Sequence, residues 1–299
     1  MSLSDFVQIL VTGLAMGSIY MLMANGLFMT HLTTGALNFG QGDFLMIAAF
    51  VTVSLLTAGA PTFVALPAAL LVLVVLGVLL ERVAIRPLER QGARDSGILA
   101  WILTTAGFGL ILENVATLAW GKSSHYAPPL FTSRKENVIS VFGVGFFVEE
   151  LVIAGIALAV IAALYWFLYR TRSGKAIAAV AFNRDAAALL GIDVRGAIVA
   201  SYVIMALLAG TAGMLVAPIT SVQAHMGLIY TLKGFVVLNI GGFTNPLGIL
   251  VAGLVFGVAE AFCNYFDSAF GDLYPFIFII AFLAIRPTGL FGEAKADVR

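Results

Sequence analysis

Charge is scarce in this chain, and cysteine is nearly absent. Only 11% of its 299 residues are Asp, Glu, Lys or Arg, and the 16 basic residues balance the 16 acidic ones. An ordinary globular domain carries about 25% charged residues. A neutral chain without a polybasic tail lacks the electrostatic footprint of a nucleic-acid binder. With Cys263 as the single cysteine, an internal disulfide framework is excluded. The three histidines, His31, His125 and His225, are scattered and make no metal-ligand set. No nucleophile–base constellation stands out, so no enzyme is expected. A phosphate loop, Gly-x-x-x-x-Gly-Lys-Ser/Thr, is missing too. Gly121-Lys122-Ser123 has Ala116 where the first glycine belongs, and Gly174-Lys175 is followed by Ala176. The chain is expected to bind no cofactor and to hydrolyse no ATP itself.

What is present is apolar. The hydrophobic fraction is 61%, against about 45–50% in globular domains. Several runs approach or exceed the roughly 20 residues that cross a bilayer as a helix. Backbone polar groups in lipid must be satisfied internally, which leaves helices or closed barrels. Unbroken apolar runs favour helices, because a barrel strand alternates residue by residue. The expected fold is all-α, a polytopic membrane protein of about 8–10 transmembrane helices, with broken or re-entrant segments, in one domain over 1–299. The expected spans are about 6–30, 44–57, 62–80, 97–119, 148–169, 197–217, 226–243, 247–264 and 273–290. The start carries Asp5 and no basic residue before the first run, so that run reads as a retained span rather than a signal peptide.

Short loops rich in Lys and Arg stay cytoplasmic. The 81–94 loop has four such residues, the 170–195 loop five, the tail three and the 120–147 connection three. This alternation predicts an outside N-terminus, a cytoplasmic C-terminus and an external 120–147 connection.

The cytoplasmic loop 170–196 holds the longest polar, positively charged segment between two long apolar runs. Asn183 is placed to cap a short helix. Gly191 is placed to end it in a left-handed conformation. About two turns are too few to be stable alone, so the element must dock. Ala186, Leu189 and Leu190 share one face. They suit either a partner's cleft or the membrane surface.

Gly- and polar-rich breaks fall at 33–43, with Asn38, Gln41 and Asp43, and at 239–248, with Asn239. Paired interruptions of this kind point to a substrate route, although Asn-Pro is also an ordinary turn signal. Asp43, Glu113, Lys233 and Glu260 are expected at membrane depth, where a charge needs a partner or a cavity. Glu260 and Asp43 are the candidate partners of Lys233. Gly13 with Gly17, and Gly253 with Gly257, repeat at the four-residue spacing that lets helices approach closely.

Arg184-Asp185-Ala186-Ala187, with Leu190 and Gly191 following, resembles the cytoplasmic motif of ATP-binding-cassette importer permeases, Asp standing for the usual Glu. With Gly174-Lys175-Ala176-Ile177 upstream, the segment looks like the branched-chain amino acid permease family. The Asn38-Phe39 and Gly42-Asp43 element, Glu81-Arg82 with Arg86-Pro87-Leu88, the late glycines and Arg286-Pro287 through Gly292 agree with it. The resemblance covers nearly the whole chain, whose length is similar to the smaller of the family's two permease subunits. It implies a bacterial inner-membrane importer with a second homologous permease, two cytoplasmic ATPases that hold ATP and Mg, and a periplasmic binding protein. It also implies that Arg184, Asp185, Ala186, Ala187, Leu190 and Gly191 form an ATPase-coupling helix. Asn38, Gln41, Asp43, Glu113, Lys233, Asn239 and Glu260 are the pathway candidates. Two other readings stay open. One is an ion-coupled secondary transporter using Asp43 or Glu260. The other is an importer of urea, amides or small carboxylates on the same scaffold.

Overall fold

A computed structural model of the chain describes residues 3–90, 97–131, 138–141, 144–243, 246–267, 271 and 273–285. It is a helical bundle. Helix α1 (Leu3–Thr34) is followed by α2 (Gln41–Thr57) and α3 (Thr62–Leu80). A single π-helical turn, Glu81–Ile85, carries α3 into the short α4 (Arg86–Arg90). Helix α5 (Gly97–Trp120) leads through a connection with a two-stranded antiparallel hairpin, β1 (Val138–Val141) and β2 (Val144–Phe147). Then come α6 (Val148–Arg170), α7 (Arg172–Phe182), α8 (Arg184–Leu189), α9 (Val194–Val216), α10 (Met226–Gly241), α11 (Pro246–Phe266) and α12 (Tyr274–Ile285).

Six of the described helices are long and apolar enough to cross a membrane, and α2 and α10 are shorter apolar helices. The nine expected spans each meet a helix, so the polytopic helical class holds. Among the described residues, the short hairpin is an addition to the expected all-α class. The Arg286–Gly292 motif and Asn245 lie outside the described residues.

Helices α1 and α9 form the centre, where most of each apolar stretch is buried. Helices α3, α5 and α6 sit outside and expose large apolar side chains, among them Phe63, Leu71, Leu103, Leu118 and Trp166. A water-soluble protein rarely shows so much exposed apolar surface; against lipid it costs nothing.

The crossing of α1 and α11 is set by the two glycine pairs, which face one another. A Cβ built on Gly13 would lie 2.7 Å from Val258 Cα, and one on Gly17 2.5 Å from the carbonyl oxygen of Gly253. Any side chain there would force the backbones apart, so four glycines create the contact that their spacing promised.

Two ends of the bundle can be told apart. Asp5 and Tyr265, Thr12 and Glu150, and His125 and Val222 meet at one end. At the other end the finish of α1 meets α8 through Arg184.

Candidate functional site

The expected break at 33–43 is real, and it goes deep. Helix α1 ends at Thr34, and Gly35 takes φ +71°. The chain then runs back along α1. The Nε2 group of Gln41 donates to the carbonyl oxygen of Met23 at 2.6 Å, about three turns before the end of α1. So α2 starts inside the bundle. An irregular segment at such depth must satisfy its own backbone, and neighbouring hydroxyls, the Asn38 side chain and local carbonyls share the work. Phe39 N–H donates to Thr105 Oγ1 of α5 at 3.2 Å, and Gly42 N–H to Thr231 Oγ1 of α10 at 2.8 Å. Thr231 passes its own proton to the carbonyl of Gly227. Gly40 N–H donates to Asn38 Oδ1 at 3.1 Å. Neither threonine was singled out from sequence. A lone Thr in an apolar run has no local signal, and its partner lies 66 or 189 positions away.

The second break is not where the sequence placed it. Helix α10 runs unbroken to Gly241, and Gly242 (φ +92°) turns the chain toward α11. Asn239 spends its amide on the carbonyl of Phe235, one turn back. Residues 239–241 therefore finish α10 and residues 246–248 open α11, rather than breaking a helix. The other interruption precedes α10. His225 Nδ1 lies 2.5 Å from Glu113 Oε1, about two turns short of the end of α5, so α10 also begins within the bundle. The starts of α2 and α10 meet backbone to backbone, Gly42 against Gly227. Asp43, buried, puts its carboxylate between Gly109 of α5 and Gly227 of α10. It lies in the first turn of its own helix and beside the first turn of α10, where unpaired N–H groups favour negative charge. Glu113 stands one turn beyond Gly109 on the same face of α5. The structure thus gathers Asn38, Gln41, Asp43 and Glu113 around one junction.

Lys233 and Glu260 form a second group. Lys233 Nζ donates to Glu260 Oε1 at 2.6 Å and to Tyr20 Oη at 3.3 Å. Glu260 is the partner, and not Asp43. The pair lines a cavity of about 560 Å³ between α1, α10 and α11. Two further buried acids escaped the sequence reading. Glu149 accepts from the backbone N–H groups of Leu130 and Phe131, and Glu150 from Thr12. Glu149 ties the preceding connection to α6, and Glu150 ties α6 to α1.

At the opposite end, local signals decided the structure. Asn183 Oδ1 accepts from Ala186 N–H at 3.0 Å, and Gly191 takes φ +79°. Between them α8 has six residues. Its candidate residues split by face. Ala187 is buried against the bundle. Arg184 donates to the carbonyl of Thr33 at the end of α1 (2.9 Å from Nε) and pairs with Glu89 of α4 at 3.0 Å. Asp185, Ala186, Leu190 and Gly191 face outward. Leu189 and Leu190 are 89% and 81% exposed, and Phe182 is 94% exposed. Phe182 was not anticipated. Its place just before an N-cap suggests a hydrophobic staple, yet the described residues leave it exposed.

Comparison with known proteins matches this architecture. The family described as "Branched-chain amino acid transport system / permease component" matches residues 9–285. The high-affinity branched-chain amino acid transport system permease protein BraD of Pseudomonas aeruginosa is 31% identical over 98% of this chain and 97% of its own length. Its counterpart LivH of Escherichia coli (strain K12) is 29% identical over the same shares. The nucleoside ABC transporter permease protein NupC of Lactococcus lactis is 30% identical over 53% of each chain. Buried broken helices, an exposed capped helix and a match over nearly the full length agree: the chain belongs to the family of permease components of branched-chain amino acid transport systems.

Proposed function

We propose that this permease component forms the translocation path for branched-chain or other hydrophobic amino acids in an ATP-driven importer. The observation that carries the mechanism is α8. Six residues capped at both ends, with two exposed leucines and an exposed phenylalanine just before them, make a docking element that none of the described residues covers. In the proposed assembly α8 seats in a cytoplasmic ATPase, one of two that hold ATP and Mg. A second homologous permease completes the path, and a periplasmic binding protein delivers the solute. The N-terminus is outside and the C-terminus cytoplasmic in the bacterial inner membrane, so the α7–α8 end faces the ATPases. Arg184 ties α8 to the end of α1, from which the chain re-enters to Asp43. Movement of α8 is thereby passed to the junction of α2, α5 and α10.

Gly191→Val tests this reading. A β-branched residue is strained at φ +79°, so α8 changes its exit while the bundle keeps its packing. The variant should insert and purify normally, and ATP-driven leucine uptake should fall by roughly tenfold or more. Uptake equal to wild type counts against α8 as the coupling element. Uptake driven by an ion gradient in this chain alone would replace the importer reading with a secondary transporter.

A further inference from the structure

The cavity between α1, α10 and α11 contains more than an ion pair. Glu260 is buried and Lys233 partly so, with side chains 5% and 12% exposed. A pair serving only to neutralise itself would satisfy both carboxylate oxygens, since an unsatisfied buried acceptor is costly. Here Glu260 Oε1 takes the lysine, while Glu260 Oε2 is buried and has no partner among the described residues. One turn along α11, Asn264 Oδ1 is buried and lacks a partner as well. Both residues line the cavity. Two acceptors one turn apart, one of them anionic, call for a donor with several protons and a positive charge.

Across the same space Lys233 offers the complement. Its ammonium has three donors. Glu260 and Tyr20 engage two, and the ring of Tyr20 lies 5.3 Å away as a cation–π partner. One donor remains for an anion. Ile9 and Met16 supply apolar wall to the same cavity, whose 560 Å³ falls within the usual range for small-molecule sites.

We infer that this cavity is a binding site for the zwitterionic head group of an apolar L-amino acid, its ammonium held by Glu260 and Asn264 and its carboxylate by Lys233. The inference rests on the importer reading for its ligand class and adds to it a selective site within the permease itself. The Lys233–Glu260 contact stays closed on binding, because the ammonium uses the second carboxylate oxygen. A ligand lacking either charged group leaves half of the site unmatched.

The test is equilibrium binding of radiolabelled L-leucine to the purified, assembled transporter without its binding protein. Competitors are L-leucinamide, which lacks the carboxylate, and 4-methylpentanoate, which lacks the ammonium. Each should compete at least about tenfold less well than leucine, the worth of a hydrogen bond to a charged group. Asn264→Leu should weaken leucine binding by about tenfold. Lys233→Met combined with Glu260→Met should lose measurable binding yet still co-elute with the partner subunits, since neither charge is left alone. Competition by 4-methylpentanoate equal to that by leucine overturns the proposal. So does unchanged affinity in Asn264→Leu, or a wild type that binds no leucine. ATP-driven uptake by the same preparation separates the two readings. Uptake without charge-dependent binding sinks the cavity alone, whereas such binding without ATP-driven uptake sinks the importer alone.

Discussion

The junction where α2 and α10 begin and the surface around α8 solve opposite problems. At the junction the irregular backbone is buried and tied in by Thr105, Thr231 and Asn38, and Gly42 leaves no room for a methyl group beside Gly227. Around α8 the backbone is capped by its own sequence, yet Phe182, Leu189 and Leu190 are left exposed by the described residues. The first region is closed by the described residues themselves, and the second is left open by them. Substitutions should therefore separate them. Changes at the junction should cost folding, and changes on α8 should cost activity while the fold survives.

The largest effect is expected from Gly42→Val. Its Cβ would fall on the carbonyl of Gly227. Overpacking costs about 1–3 kcal/mol where side chains can yield, and here two backbones would have to part. Little monodisperse protein should be recovered from membranes by size-exclusion chromatography. Normal yield would mean that the two helix starts are free to separate. Thr231→Val comes next, because it strands the Gly42 N–H. A loss of about 1–3 kcal/mol is expected, read as a lower thermal midpoint in detergent, with Thr231→Ser restoring it. If Val and Ser behave alike, the hydroxyl is not the reason for the threonine. Arg184→Met lies on the border between the two regions. Losing its bonds to Thr33 and Glu89 should cost about 1 kcal/mol, and uptake should drop more than thermal stability does. The smallest structural effect belongs to Leu189→Asp with Leu190→Asp. At such exposed positions stability should stay within about 0.5 kcal/mol, while co-purification with ATPase subunits is lost. Retained co-purification would break the comparison.

The same contrast explains what was legible in the sequence. Asn183 and Gly191 act on residues within a turn or so of themselves, so both ends of α8 were readable. The span pattern was readable for the same reason, as hydrophobicity is a property of each segment. The break at 33–43 announced itself through clustered glycines. The break before α10 did not, because its depth is set by His225 meeting Glu113, 112 positions earlier. Thr105, Thr231, Glu149 and Glu150 were missed for that reason as well: each is explained by a distant backbone group or hydroxyl. Lys233 could be given two possible partners from charge alone, and only the packing of α10 on α11 chose Glu260. The glycine pairs were readable as contact surfaces, but nothing local said that they would find each other.

That last contact has a consequence in time. Helix α1 is made first, and its partner α11 begins at Pro246. At the pace of about 5–20 residues per second at which chains are synthesised, α1 waits on the order of ten seconds or more in the membrane with its glycine face unfilled. During that interval α11 does not yet exist to cover it, and α9, which begins at Val194, arrives only late in it. The cavity with Lys233 and Glu260 has α11 as one wall, so it comes into being only near the end of synthesis. A chain stopped before α11 would hold Lys233 without the counter-charge of Glu260, and a lone cation at membrane depth is costly.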